Sequence, residues 1–191
     1  ILMSLCLIAM FLSSCQQTGN NQQLQYIVDV QAHRGGMGLL PANTLEAMKN
    51  AVDLGVNTLE MDIVVTKDKK VILSHDKYFT AEENTRPDGT PIKKEDPREY
   101  MWKMTYEEIA KYDVGMRQHP NYPEQKILPA IRPLLSDVLS FIENYTDEND
   151  MAPMKYNIEI KADPDWNGGI EGKDWPVYNE MVDICLKVLN S

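Results

Sequence analysis

Five side chains able to do chemistry together lie between residues 33 and 76. His33 and Arg34 open the stretch, Glu60 and Asp62 stand in its middle, and His75 closes it. Each lies at or near the end of a short apolar run. Imidazoles change charge near neutral pH, so two of them at one place can accept and return protons. Taken singly, each has an ordinary explanation. A histidine at a strand end is commonly a hydrogen-bonded structural residue, and carboxylates two residues apart commonly mark the solvated face of an antiparallel strand. Jointly, on successive strand ends, they describe a catalytic site.

The elements that must position them follow from periodicity. Residues 26–32 (YIVDVQA) are rich in β-branched residues and run into His33 and two glycines, which predicts a strand and a turn. Leu45, Met48 and Val52 share a helical face, with Asn43 or Thr44 as cap and Gly55 as stop. Residues 56–66 predict a second strand. Its period of two puts Glu60 and Asp62 on one face and Leu59, Met61 and Ile63 on the other. A polar turn, Lys67 to Lys70, leads to a short third strand, Val71 to Leu73, ending before His75. Strands that alternate with a helix and carry chemistry at their carboxyl ends fit a barrel of the (β/α)8 type.

These residues carry a resemblance. His33-Arg34-Gly35, Pro41-Ala42-Asn43-Thr44, Glu60-Met61-Asp62 and His75-Asp76 resemble, in order and spacing, the amino-terminal motifs of the glycerophosphodiester phosphodiesterase family: His-Arg-Gly, Pro-Glu-Asn-Thr, Glu-x-Asp and His-Asp. One departure is plain, since Ala42 stands where the family usually has glutamate. The resemblance implies an α/β chain folded as a TIM-type barrel of the phosphodiesterase type, of which this sequence is expected to hold about the first half. It implies an insertion after the third strand, at about residues 77–127, capping one side of the substrate cleft. His119, within that insertion, is read as structural. The reaction implied is hydrolysis of a glycerophosphodiester to glycerol 3-phosphate and an alcohol such as choline or ethanolamine. His33 and His75 would be general acid and base, in an order left open.

Further along, Thr105 to Glu108 has the form of a capping box. Leu135, Val138, Leu139, Ile142 and Tyr145 follow helical spacing, and Pro176 opens a helix with Val177, Met181, Ile184, Cys185 and Val188 as its apolar stripe. Between them, residues 155–161 predict a strand with Asn157, Glu159 and Lys161 on one face. Those charges suit either a site or a cross-strand ion pair on an exposed face. In the resembled family the matching glutamate completes a metal site and the matching lysine faces phosphate. Glu60, Asp62 and Glu159 would then be three hard oxygen donors suited to one divalent cation, Ca2+ or Mg2+. Arg34 and Lys161 would bind the phosphate, the planar guanidinium matching its geometry.

The net charge is −10, from 19 basic and 29 acidic residues. There is no basic stripe, which disfavours a nucleic-acid partner and adsorption to anionic lipid. Residues 1–14 are uncharged and apolar over a length that suits a signal peptide, and Leu12-Ser13-Ser14-Cys15 resembles a bacterial lipobox. The expectation is lipid on Cys15, a flexible tether over 15–25, and a domain over 26–191 facing the periplasm or cell exterior. The membrane would be a partner through that lipid alone. Cys185 is left without a disulfide partner and reads as a small buried apolar residue. A half barrel would leave sheet edges open, so 191 residues alone are expected to dimerise or be poorly soluble. Two alternatives stay open: a related two-histidine phospholipase acting on membrane lipid, and a non-catalytic glycerophosphodiester-binding lipoprotein.

Overall fold

A single strand is touched by every other strand of the sheet. In the computed structural model, which describes residues 28–161 and 178–190, the elements follow in the order β1 (Gln31–Ala32), α1 (Leu45–Asp53), β2 (Thr58–Val65), β3 (Val71–Leu73), α2 (Tyr106–Ile109), α3 (Leu135–Glu148), β4 (Lys155–Ile160) and α4 (Tyr178–Leu189). β2 pairs in parallel with β1 and β4 and antiparallel with β3. The fold is mixed α/β around a largely parallel sheet. The expected signal peptide, tether and Cys15 lie outside the described residues.

The register decides where chemistry can be placed. Leu59 pairs with Tyr156 of β4 and with Ala32 of β1, and Ile63 pairs with Ile160 of β4 and with Leu73 of β3. β1 and β3 therefore share the edge of β2 opposite β4, approaching from its two ends. Both stop before they meet. The gap between them faces Glu60, Met61 and Asp62, and the chains leaving it carry His33-Arg34 from one side and Ser74-His75 from the other.

Two expectations need correction here. The third strand is not a barrel-type parallel strand: the turn over 66–70 is too short for a crossover, so β3 returns as a hairpin on β2. The first strand is also far shorter than the β-branched run suggested. Residues 28–30 lie outside it, with Val28 and Val30 exposed; β2 begins only at Thr58, and Val30 is held there by its carbonyl, which accepts the N–H groups of Asn57 and Thr58.

The alternation in β2 holds. Leu59, Met61 and Ile63 are fully buried, each worth about 1.5–3 kcal/mol of burial. They pack with Met48 and Val52 of α1, with Leu135, Val138 and Ile142 of α3, and with Met181 and Cys185 of α4. Burial pushes the Cys185 thiol up to about 11, as suits an apolar packing residue. α1 is capped by Thr44, whose hydroxyl accepts the Ala47 N–H at 3.2 Å. Val64 and Ile72 face the other way and join a second core with Phe79, Met101, Ile109 and Val114. Thus the segment after β3 has an apolar centre of its own, built on the back of the β2–β3 hairpin.

The turn after β1 is forced tight against α1. Gly35 has φ +76°, and a Cβ there would lie 2.9 Å from both the carbonyl carbon and the Cβ of Ala47. Gly35→Ala is expected to destabilise the fold by roughly 2–5 kcal/mol, combining left-handed backbone strain with an unrelieved clash. Urea denaturation checks this; a change under 0.5 kcal/mol would contradict the packing described.

Candidate metal and phosphate site

Asp62 anchors the site. Its residue is only 1% exposed, so its charge must be matched locally. Asn43 Nδ2 donates to its Oδ2 at 2.9 Å, Lys161 Nζ lies 3.0 Å from Oδ1, and Arg34 Nε lies 3.1 Å from Oδ2. Burial pushes the carboxyl up, but the bonds from Asn43 and Lys161 and the charges of Lys161 and Arg34 outweigh it and hold the group below the ordinary range. The backbone of Asp62 is engaged too. Its carbonyl accepts the Ser74 N–H at 2.9 Å, and its N–H donates to Asn43 Oδ1 at 3.1 Å. The Asn43 side chain thus closes off the strand edge that β1 and β3 leave open.

Glu60 and Glu159 complete a cluster. One oxygen from each of Glu60, Asp62 and Glu159 lies within 4.8 Å of the others. Their elements explain this: Asp62 and Glu159 are paired residues of parallel neighbours, and Glu60 is two residues back on the same face. Glu60 Oε2 accepts the backbone N–H of Arg34 at 2.6 Å, which binds the His33–Gly35 turn to the cluster. Lys161 Nζ lies 2.6 Å from Glu159 Oε1 and so bridges Glu159 and Asp62. Burial lowers the Lys161 ammonium's proton affinity, and its bonds to Glu159 and Asp62 raise it beyond the ordinary lysine range. Three carboxylates against two cations leave an excess negative charge, and all the donors are hard oxygens. That set fits a divalent cation such as Ca2+ or Mg2+.

The two histidines lie on the turns that leave the gap, His33 exposed beside Arg34 and His75 half-buried. His33 begins the one-turn 3-10 segment whose Arg34 has φ 53°. His75 follows β3, with Nδ1 3.4 Å from Asp76 Oδ2. His75, Arg34 and Asn43 line a cleft of about 370 Å³ together with Thr80, Glu83 and His119 of the segment after β3. A solvated antiparallel face does not account for Asp62, which is buried between parallel strands.

Two contributors were not foreseen. Asn43 was a candidate cap, but Thr44 caps α1 and Asn43 instead grips Asp62 from a left-handed backbone (φ 57°). Arg132 is 5% exposed; it donates to the Ala42 carbonyl at 2.8 Å and to Glu83 Oε1 at 2.6 Å. It ties the Pro41–Thr44 turn to the segment beyond β3. The Pro-Ala-Asn-Thr motif signalled Asn43; Arg132's partners are too distant in sequence to be signalled at all.

Asn43→Gly keeps the backbone conformation and deletes both bonds to Asp62. It should cost about 2 kcal/mol of stability and weaken cation binding roughly 10- to 100-fold by calorimetry; unchanged affinity would refute the role given to Asn43. The lowered Asp62 value also has a signed consequence. In metal-free protein, the stability Asp62 contributes is present above the ordinary carboxyl range and is lost as pH falls through its lower folded value. Asp62→Asn should therefore flatten the loss of stability below about pH 4, measured by urea melts across that range.

The sequence model of the "Glycerophosphoryl diester phosphodiesterase family" matches residues 33–189. The chain is 31% identical over 144 residues to a protein named glycerophosphodiester phosphodiesterase from Caldanaerobacter subterraneus subsp. tengcongensis, covering 75% of this chain and 49% of that one. It resembles a solved putative glycerophosphoryl diester phosphodiesterase from Silicibacter pomeroyi DSS-3 (TM-score 0.73, 26% identity, 86% of this chain and 54% of that chain). It also shares its fold with an Oleispira antarctica phosphodiesterase solved with the product sn-glycerol-3-phosphate (TM-score 0.59, 21% identity, 88% and 54%). The chain spans about half the length of these relatives. Motifs, cluster and family match agree: the chain belongs to the glycerophosphoryl diester phosphodiesterase family.

Proposed function

We propose that the protein hydrolyses glycerophosphodiesters to sn-glycerol 3-phosphate and an alcohol, with a divalent cation held by Glu60, Asp62 and Glu159. The observation that carries the reading is the carboxylate cluster beside Arg34 at the strand ends from which His33 and His75 emerge. The fold neighbour solved with sn-glycerol-3-phosphate is consistent with it. Ca2+ and Mg2+ both suit the donor set. The described strands fit the first part of a TIM-type (β/α)8 barrel, with residues 77–127 as an insertion over the cleft. Lipid on Cys15 would hold the domain at a membrane surface; among the described residues no helix is long and apolar enough to cross one.

When bound, the cation would supply Lewis-acid polarisation of a phosphate oxygen. The remaining work falls to side chains of this chain. Arg34 and Lys161, already drawn in by Asp62, hold positive charge where a phosphate must lie and stabilise the charge that grows on its oxygens. One of His33 and His75 takes a proton from the attacking hydroxyl or water as its oxygen bonds to phosphorus. The other gives a proton to the alcohol oxygen as the phosphorus–oxygen ester bond breaks. Asp76, beside Nδ1 of His75, holds that nitrogen as the protonated one and leaves Nε2 for the transfer.

The test is release of sn-glycerol 3-phosphate by the complete protein. Chelation should abolish it, and added Ca2+ or Mg2+ should restore it. His33→Ala or His75→Ala should lower kcat by ~10²–10⁴ with unchanged melting. Full activity in chelator, or in both histidine variants, would overturn the proposal.

A further inference from the structure

The cleft continues past Arg34 and Asn43 to a wall that the reaction as proposed does not use. With the phosphate at the Arg34 end, Tyr78, Thr80, Glu82 and His119 are open to the alcohol half of the diester. The hydrogen-bonding state of these groups limits what that alcohol can be.

His119 Nδ1 accepts the Asn121 backbone N–H at 3.2 Å, so the neutral ring carries its proton on Nε2 and has a donor to offer. The Thr80 hydroxyl oxygen accepts from Asn84 Nδ2 at 3.1 Å, which leaves its own hydrogen to donate. Glu82 is an acceptor whose cationic neighbour, Lys94, stands back at 3.9 Å. Donors and an acceptor thus line one wall. A hydroxyl group both donates and accepts, so a polyhydroxylated alcohol can satisfy all three.

A quaternary ammonium alcohol finds less. Such cations are recognised by open aromatic faces and unpaired carboxylates. Apart from histidine, Tyr78 is the aromatic residue on this wall; the Arg98 guanidinium lies 4.5 Å from its ring centroid, and Tyr100 meets it edge-on at 5.7 Å. The Arg98 guanidinium thus already covers one face of that ring. Of the carboxylates, Glu82 has the Lys94 ammonium 3.9 Å away, Glu83 is bound to Arg132 at 2.6 Å, and Asp76 lies against His75.

The wall is also held in place. Gln125 is 5% exposed, and its Nε2 donates to the carbonyls of Met37 at 2.8 Å and Leu40 at 3.2 Å; the Lys126 N–H donates to the Leu39 carbonyl at 2.8 Å. The loop carrying His119 is thereby fastened to the segment that follows the His33–Gly35 turn. The His119 ring packs at 4.8 Å against Tyr122 of the same loop.

We infer that the preferred substrates are diesters of a polyol, such as glycerol, rather than of choline, and that His119 is a specificity-determining residue that donates from Nε2 to a hydroxyl of that polyol. This rests on the diesterase reading above. The experiment is kcat/KM of the complete protein for sn-glycero-3-phosphoglycerol and sn-glycero-3-phosphocholine, in wild type, His119→Ala and His119→Gln. Wild type should favour the glycerol diester by about tenfold, the scale of one hydrogen bond to a substrate hydroxyl. His119→Ala should reduce that preference to about threefold or less, through KM for the glycerol diester, at an unchanged melting temperature. His119→Gln, which keeps an N–H donor, should restore most of it. Equal or faster choline release by wild type overturns the inference alone, as does an equal loss on both substrates in His119→Ala. No sn-glycerol 3-phosphate from either diester overturns the diesterase reading and this inference with it.

Discussion

A buried carboxylate is the constraint on which this molecule is arranged. Asp62 stands within a strand buried at all but one position, and isolated there it would be strongly destabilising. Four different segments supply its partners: Asn43 from the turn before α1, Arg34 from the turn after β1, Lys161 from the end of β4, and Ser74 from the end of β3. Each of these brings its neighbour with it. His33 precedes Arg34, Glu159 precedes Lys161 by two, and His75 follows Ser74. Satisfying one buried charge thus draws together the residues proposed to act on a phosphodiester.

The sheet makes this possible by being interrupted. β1 and β3 approach along the same edge of β2 and end on either side of Asp62. Had either continued across the gap, its backbone would have taken the bond that the Asn43 side chain makes to the Asp62 N–H. Ending there exposes strand-edge polar groups that must be satisfied, and the Asn43 amide meets that need from a left-handed backbone that asparagine tolerates better than most residues. The segment past β3 packs its own apolar core onto Val64 and Ile72, the back of the same hairpin. It reaches the cleft through Arg132 and Glu83, and Arg132 ties it to the Pro41–Thr44 turn from which Asn43 holds Asp62.

Much of this is written in short-range pattern. Alternation in residues 59–63 gave the buried and chemical faces of β2, and helical spacing gave α1 and α3, because a period is a local property of the chain. The motifs joined His33, Arg34, Glu60, Asp62 and His75 into one site, and the family match covers all of them. What the pattern could not carry was relational. A β-branched run makes a strand only as far as its neighbour extends, so β1 shrank to two residues. A five-residue polar turn permits a hairpin, and the barrel expectation obscured that. Arg132 meets Ala42 and Glu83 across 90 and 49 residues, and nothing near it announces either partner.

Glu60, Asp62 and Glu159 are proposed to hold one cation. The most direct measurement is anomalous diffraction from crystals of the complete protein soaked in Mn2+, which serves as a scattering substitute for Mg2+ or Ca2+. A single strong peak at roughly 2.0–2.6 Å from oxygens of all three carboxylates is the predicted result. No peak there, or peaks only at surface carboxylates while Lys161 keeps its bridge between Asp62 and Glu159, would contradict it.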